Sequence, residues 1–168
     1  MKTGRYIGLL VFCTLWLTGR ADSLLNVIPA SSDGINAAAA VFDGSMDSYF
    51  YSEADSYSWV GADLGRAHVI TIIGFAPRIG SGGPLHTLLG VFEGANRADF
   101  MDALPLHIIA EEPAEGQMTY VRVACTRGFR YIRYVGPSGR HSEMAELTFY
   151  GDEGTGDDTQ LCQLTNLP

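Results

Sequence analysis

The sequence predicts an all-β protein, an antiparallel β-sandwich of the jelly-roll type. Three observations carry that expectation. The apolar runs are of strand length and are bounded by Gly, Pro, Ser and Asp. Helical periodicity is scarce, so few segments could present one apolar stripe to a core. The turn signals recur at the short spacing of sandwiches and barrels, and no strand–helix alternation suggests a parallel sheet. At 168 residues the chain is one ordinary domain with short ends. No internal repeat is visible.

The elements follow in order. Ser23 to Pro29 reads as the first extended piece. Ile35 to Phe42 is Ala-rich and suits one or two helical turns. Tyr57 to Leu64 sets Trp59, Gly61 and Asp63 against Val60, Ala62 and Leu64, the alternation of a strand with one buried face. His68 to Pro77 is a long strand rich in β-branched residues, Val69 to Ile73. Ile79 to Pro84 is a Gly-rich loop, and Leu85 to Glu93 reads as another strand. Asn96 to Met101 suits a short helical turn. Leu104 to Ala110, Met118 to Ala124, Phe129 to Val135 and Ala145 to Tyr150 complete the strands. Past Gly151 the chain turns to Gly and acid, an acidic linker and tail over residues 152–168.

The first 21 residues differ from the rest. Lys2 and Arg5 precede an apolar run from Ile7 to Leu17, and Gly19 and Ala21 are small residues suited to a cleavage site. That is the layout of a secretory signal peptide. The run is shorter than the roughly 20 apolar residues of a membrane span. The expectation is a secreted domain over residues 22–151, with an uncleaved anchor as the alternative. The chain has 11 basic and 19 acidic side chains, and Lys2, Arg5 and Arg20 lie in the leader. The mature chain thus keeps eight arginines against 19 acids, a formal charge of −11. Such a surface repels nucleic acid and anionic lipid and suits cations, neutral sugars or basic proteins.

Cys13 leaves with the leader, and Cys125 and Cys162 remain as an even pair in an oxidising compartment. A disulfide tying the tail to a strand is expected, with two free thiols as the alternative. His68, His86, His107 and His141 show no metal-ligand spacing. No nucleophile elbow, zinc-protease or phosphate-loop motif occurs. Glu111, Glu112 and Glu115 read as a charged turn rather than a glycosidase pair. The sequence therefore points away from an enzyme.

Four pieces, taken in order, resemble one family. They are Ala40-Val41-Phe42-Asp43-Gly44, the run from Trp59 to Gly65, Phe129-Arg130-Tyr131-Ile132-Arg133-Tyr134, and the run from Ala145 to Gly151. They resemble the discoidin family, the coagulation factor 5/8 C-type domains, whose fold includes galactose-binding-like carbohydrate-binding modules. The resemblance spans roughly residues 24–151. It implies a jelly roll that binds glycans, less often lipids or proteins, through loops at one end.

The resemblance also implies a structural calcium held by Asp43, Ser45, Ser48 and Glu146 with the carbonyls of Ala40 and Ala145. Such an oxygen set suits calcium chemically. Ser45 departs from the usual Asp or Asn of the family. The competing reading is an Asx turn at Asp43 with Glu146 paired to an Arg. A sugar site needs an aromatic face and a few fixed polar groups. The loop ends offer Tyr49, Phe50 and Tyr51; Arg78 with His86 across the Gly80 to Gly83 loop; and Arg140 with His141. Tyr49 and Phe50 could instead plug the core, and Arg78 could pair with an acid. The function expected is a secreted, non-catalytic lectin-like module whose partners are glycans or glycoproteins. One weak site per chain would gain avidity in an oligomer. The alternative is an extracellular structural, adhesion or protein-interaction domain without a sugar site.

Overall fold

One long strand organises the fold. In the computed structural model, which describes residues 22–32, 38–53, 57–157 and 162–163, strand β4 runs for 18 residues from Trp59 to Ala76. Before it come β1 (Ser23–Leu24), β2 (Ile28–Ser31), a 3-10 turn (Ala38–Val41) and β3 (Phe50–Ser52). After it come helix α1 (Gly83–Thr87), β5 (Val91–Ala95), β6 (Leu104–Ile108), β7 (Thr119–Arg122) and β8 (Ala124–Cys125). The chain continues through β9 (Gly128–Val135), β10 (Ser142–Met144), β11 (Glu146–Glu153) and β12 (Cys162–Gln163).

The first half of β4 pairs antiparallel with β2 and β9, and β9 pairs in turn with β5, which pairs with β6. Its second half pairs antiparallel with β11 and β7, and β11 carries β1 on its far edge. The break between the halves lies between Asp63 and His68, where the register with β9 shifts. There the Gly65 N–H donates to Asp63 Oδ1 at 2.7 Å, with Gly65 at φ 76°. One strand thus feeds both layers of an antiparallel sandwich. Val60, Ile132, Tyr134 and Phe92 from one layer meet Ile73, Phe75, Leu147 and Phe149 from the other in a single core. Burying each such side chain contributes about 1.5–3 kcal/mol.

The all-β antiparallel sandwich matches the expectation from sequence, and several elements differ from it. Tyr57 to Leu64 and His68 to Pro77 are not separate strands but parts of β4. Leu85 to Glu93 does not form one strand. Its first residues belong to α1, where Pro84 stands in the first turn and the Thr87 hydroxyl donates back to the Pro84 carbonyl at 2.8 Å. The strand begins only at Val91. Asn96 to Met101 forms turns, held by Asp102 accepting from the Asn96 and Arg97 N–H groups. Trp59 lies half-buried on the outer face of its layer. The final strand takes in Asp152 and Glu153, so the linker starts later than its composition suggested.

Two short strands escaped the sequence reading. β3 and β10 pair with each other, with Tyr51 opposite Glu143 and Met144 opposite Phe50. Phe50 and Met144 are fully buried and fasten this small ribbon to the core. Cys125 and Cys162 form a disulfide, and β12 pairs with β8 around it. Closing a loop over a separation of 37 residues restricts the unfolded chain by an amount worth about 4 kcal/mol. The leader read over residues 1–21, and part of the helical reading at Ile35 to Phe42, lie outside the described residues. Among the described residues no helix is long and apolar enough to cross a membrane.

Candidate functional site

The β3–β10 ribbon covers the region where β4 ends and where the loop to α1 begins. Cross-strand partners share a face, so Tyr51 and Glu143 stand side by side. Glu143 is the anchor. Its side chain is 1% exposed and both of its oxygens are engaged. Arg78 Nη1 donates to Oε2 at 3.0 Å. His86 Nδ1 makes a short hydrogen bond to Oε1. A buried carboxylate without such partners would be costly, so the guanidinium and the imidazole N–H are held where Glu143 needs them.

Aromatic rings frame this cluster. The Arg78 guanidinium lies over the Tyr49 ring at 3.9 Å from its centroid and 5.7 Å from that of Tyr51. The His141 ring stands 5.3 Å from Tyr51 and 6.3 Å from His86. Arg140 is exposed and donates from Nη1 to the Leu85 carbonyl at the rim of α1. The structure therefore brings Tyr49, Tyr51, Arg78, His86, Arg140 and His141 to one place from four separate stretches of chain. Phe50 is not part of the cluster: it points to the core.

The loop between Arg78 and α1 is fixed from both sides. A Cβ at Gly83 would fall 1.9 Å from the Arg78 carbonyl oxygen, so only glycine permits that return. Glu115, read as part of a solvated turn, accepts from the Gly80 N–H. Glu143 was missed by the sequence reading. A single Glu among 19 acids carries no local signal, and only the pairing of β10 with β3 sets it behind Arg78.

Chemically, the cluster offers unlike groups in a small space. Because Glu143 accepts from His86 Nδ1, the neutral imidazole presents Nε2 as an acceptor. Arg78 keeps its Nε and Nη2 donors, which make no hydrogen bond among the described residues. His141 Nδ1 is buried without a partner among the described residues. Donors, an acceptor and aromatic faces together suit a ring that is apolar on one side and hydroxylated at its edge.

A second carboxylate cluster lies nearby. Asp43 forms an Asx turn, its Oδ1 accepting from the Ser45 N–H at 2.8 Å, and the Ser48 hydroxyl donates to Oδ2 at 2.7 Å. These bonds, that of Ser48 first, hold the Asp43 carboxyl below the usual carboxylate range. The Ser45 carbonyl also accepts from Ser48. Ser45 Oγ turns to the Asp47 N–H. Glu146 is 5% exposed and accepts from the Gly44 N–H at 3.2 Å. Burial pushes its carboxyl up to about 7, and the nearby Asp43 charge adds to that rise.

The competing expectation, Glu146 paired to an Arg, does not hold among the described residues, whereas the Asx turn does. Two carboxylates and a hydroxyl meet here, and among the described residues no cationic side chain balances them. That donor set fits a hard, oxygen-seeking cation such as calcium. Ala40 lies in the small 3-10 turn before Asp43, and Ala145 directly precedes Glu146. Among the described residues no group of three or more His, Cys, Asp or Glu side chains could hold a metal ion.

The fold and the cluster define a class: the galactose-binding-like jelly rolls. No family model matches the chain, and no curated protein does. Solved structures do. A CBM62 module from Clostridium thermocellum Xyl5A shares 36% identity at a TM-score of 0.72, covering 77% of this chain and 97% of the module. The chain belongs to this family of carbohydrate-binding modules. A family 32 module of Clostridium perfringens NanJ, in complex with galactose, has 15% identity, a TM-score of 0.58, and coverage of 77% and 99%. A serum fucolectin of striped bass has 16% identity, a TM-score of 0.65, and coverage of 77% and 49%. These two share the fold. The matches are non-catalytic modules and lectin domains, some of them parts of enzymes.

Proposed function

We propose that the chain is a secreted module that holds a neutral, galactose-type sugar of extracellular glycans at the Glu143-anchored end of the sandwich. The observation that carries this reading is the convergence of Arg78 and His86 on the buried Glu143 beside the Tyr51 and His141 rings. Arg78 donates to sugar hydroxyls, and His86 Nε2 accepts from one. Tyr51 and His141 take the apolar face of the ring, and Arg140 guards the rim. Pre-set polar groups avoid the ordering cost of assembling a site at binding. Calcium is the structural cofactor of this reading, held by Asp43, Ser48 and Glu146 with the loop carbonyls of Ala40, Ser45 and Ala145.

A glycan array probed with the purified chain, in calcium and again in chelator, tests this. The expected result is binding to a defined set of neutral glycans, weaker in chelator. A folded protein that binds nothing on a broad array would instead support the protein-interaction reading.

A further inference from the structure

The two layers of the sandwich treat their outer faces differently. On the β4–β9–β5 layer, the loop 96–103 folds back, so that Phe100 lies under the Arg133 guanidinium at 4.1 Å and beside Trp59 at 5.3 Å. Arg133 pairs with Glu93, and Arg130 grips Asp63 through two bonds. That face is covered and its charges are matched.

The β11–β4–β7 layer has no such cover among the described residues. The register aligns Leu24, Tyr150, Ile72 and Arg122 in one row, and Thr148, Gly74 and Tyr120 in the next. Leu24 is 61% exposed and Tyr120 56% exposed. Single exposed apolar residues are normal, but here half-buried Tyr150 and Ile72 join the two edges, so apolar side chains run across four strands. The Tyr120 ring lies against Gly74: a Cβ at that glycine would sit 2.7 Å from ring carbon Cε1. One side of the ring therefore rests on backbone and the other meets water. Tyr150 supports it edge-on at 6.3 Å.

We infer that this face is a second glycan subsite, on which Tyr120 stacks against a further sugar of the chain whose terminal residue occupies the Arg78–His86 site. The inference rests on that reading of the end site. Continuity with the end site argues for a glycan as occupant. Gly74 and Arg78 are four residues apart, so their Cα atoms are no more than about 14 Å apart. Glu115 binds the Gly80 loop, and four residues further on β7 begins with Thr119, next to Tyr120. Exposed Ile79 lies along the way. Charge argues the same way: in a chain of net charge −8, the one charged residue of these two rows is Arg122, and Asp22 balances it at 3.8 Å. An open aromatic face ringed by hydroxyls matches a neutral sugar ring.

The test compares galactose with β-1,4-galactotetraose by calorimetry. The tetraose should bind about tenfold more tightly than galactose, as one stacked ring can supply. Tyr120→Ala should remove that gain and leave galactose binding unchanged, which also shows the variant is folded. Tyr120→Phe should keep the gain, since the ring rather than the hydroxyl does the stacking. A tetraose that binds no better than galactose, or a gain that survives Tyr120→Ala, overturns the sheet-face subsite and leaves the end site standing. Failure of both sugars to bind the folded wild type overturns the end-site reading and this one with it.

Discussion

Glu143 and Glu146 lie three residues apart, both are buried, and their surroundings are opposite. Glu143 has two donor partners, the Arg78 guanidinium and the His86 ring N–H. Glu146 has a single backbone N–H and an acidic neighbour, and its carboxyl is pushed up to about 7. A buried charge must be neutralised by a partner, a proton or an ion. The protein supplies the partners for Glu143, and in the proposed function that arrangement doubles as a polar platform for a sugar. At Glu146 it supplies oxygens, and the proposed function brings the positive charge from solution.

The largest effect should come from breaking the satisfied side. Arg78→Ala leaves Glu143 with His86 alone, and removing one partner of a buried pair costs about 3 kcal/mol. A thermal melt should show a drop of roughly 10 °C for a domain of this size. A melt unchanged within error would mean that Glu143 is not held by Arg78 in solution.

The unsatisfied side should respond with the opposite sign. An acid whose folded-state pKa is raised binds its proton more tightly when folded, so stability falls as pH rises. In chelator, the melting temperature should fall between the ordinary glutamate range and about pH 7, the value to which Glu146 is raised. Glu146→Gln should flatten that slope in chelator. Calcium at about 100 times its dissociation constant should stabilise the wild type by about 2.7 kcal/mol. Glu146→Gln should lose most of that gain. A melting temperature indifferent to calcium, pH and this substitution alike would remove the ion from the account.

The sequence made some of this legible and hid the rest for physical reasons. The alternation in Tyr57 to Leu64 and the β-branched run after His68 marked real strand, but the bend at Gly65 looked like an end because Asp-Leu-Gly is also a turn signal. The three-residue strands β3 and β10 are too short to show a period. Leu85 to Thr87 has strand-like composition, yet Pro84 in a first turn and Gly83 against Arg78 commit it to a helix. Tyr49, Tyr51, Arg78, His86, Arg140 and His141 were each legible as loop-end residues. Glu143, which gathers them, was not, because its role comes from a cross-strand neighbour 92 positions away in a ribbon the sequence does not announce.

The central claim is that a sugar sits at the Glu143-anchored end. Arg140→Ala with His141→Ala tests it most directly, because both side chains lie at the rim and neither contacts Glu143. Calorimetric titration of the wild type and this double variant with the best glycan from the array, alongside their melts, gives the answer. The account predicts loss of binding with an unchanged melting temperature. Undiminished binding would place the sugar elsewhere on the molecule and contradict it.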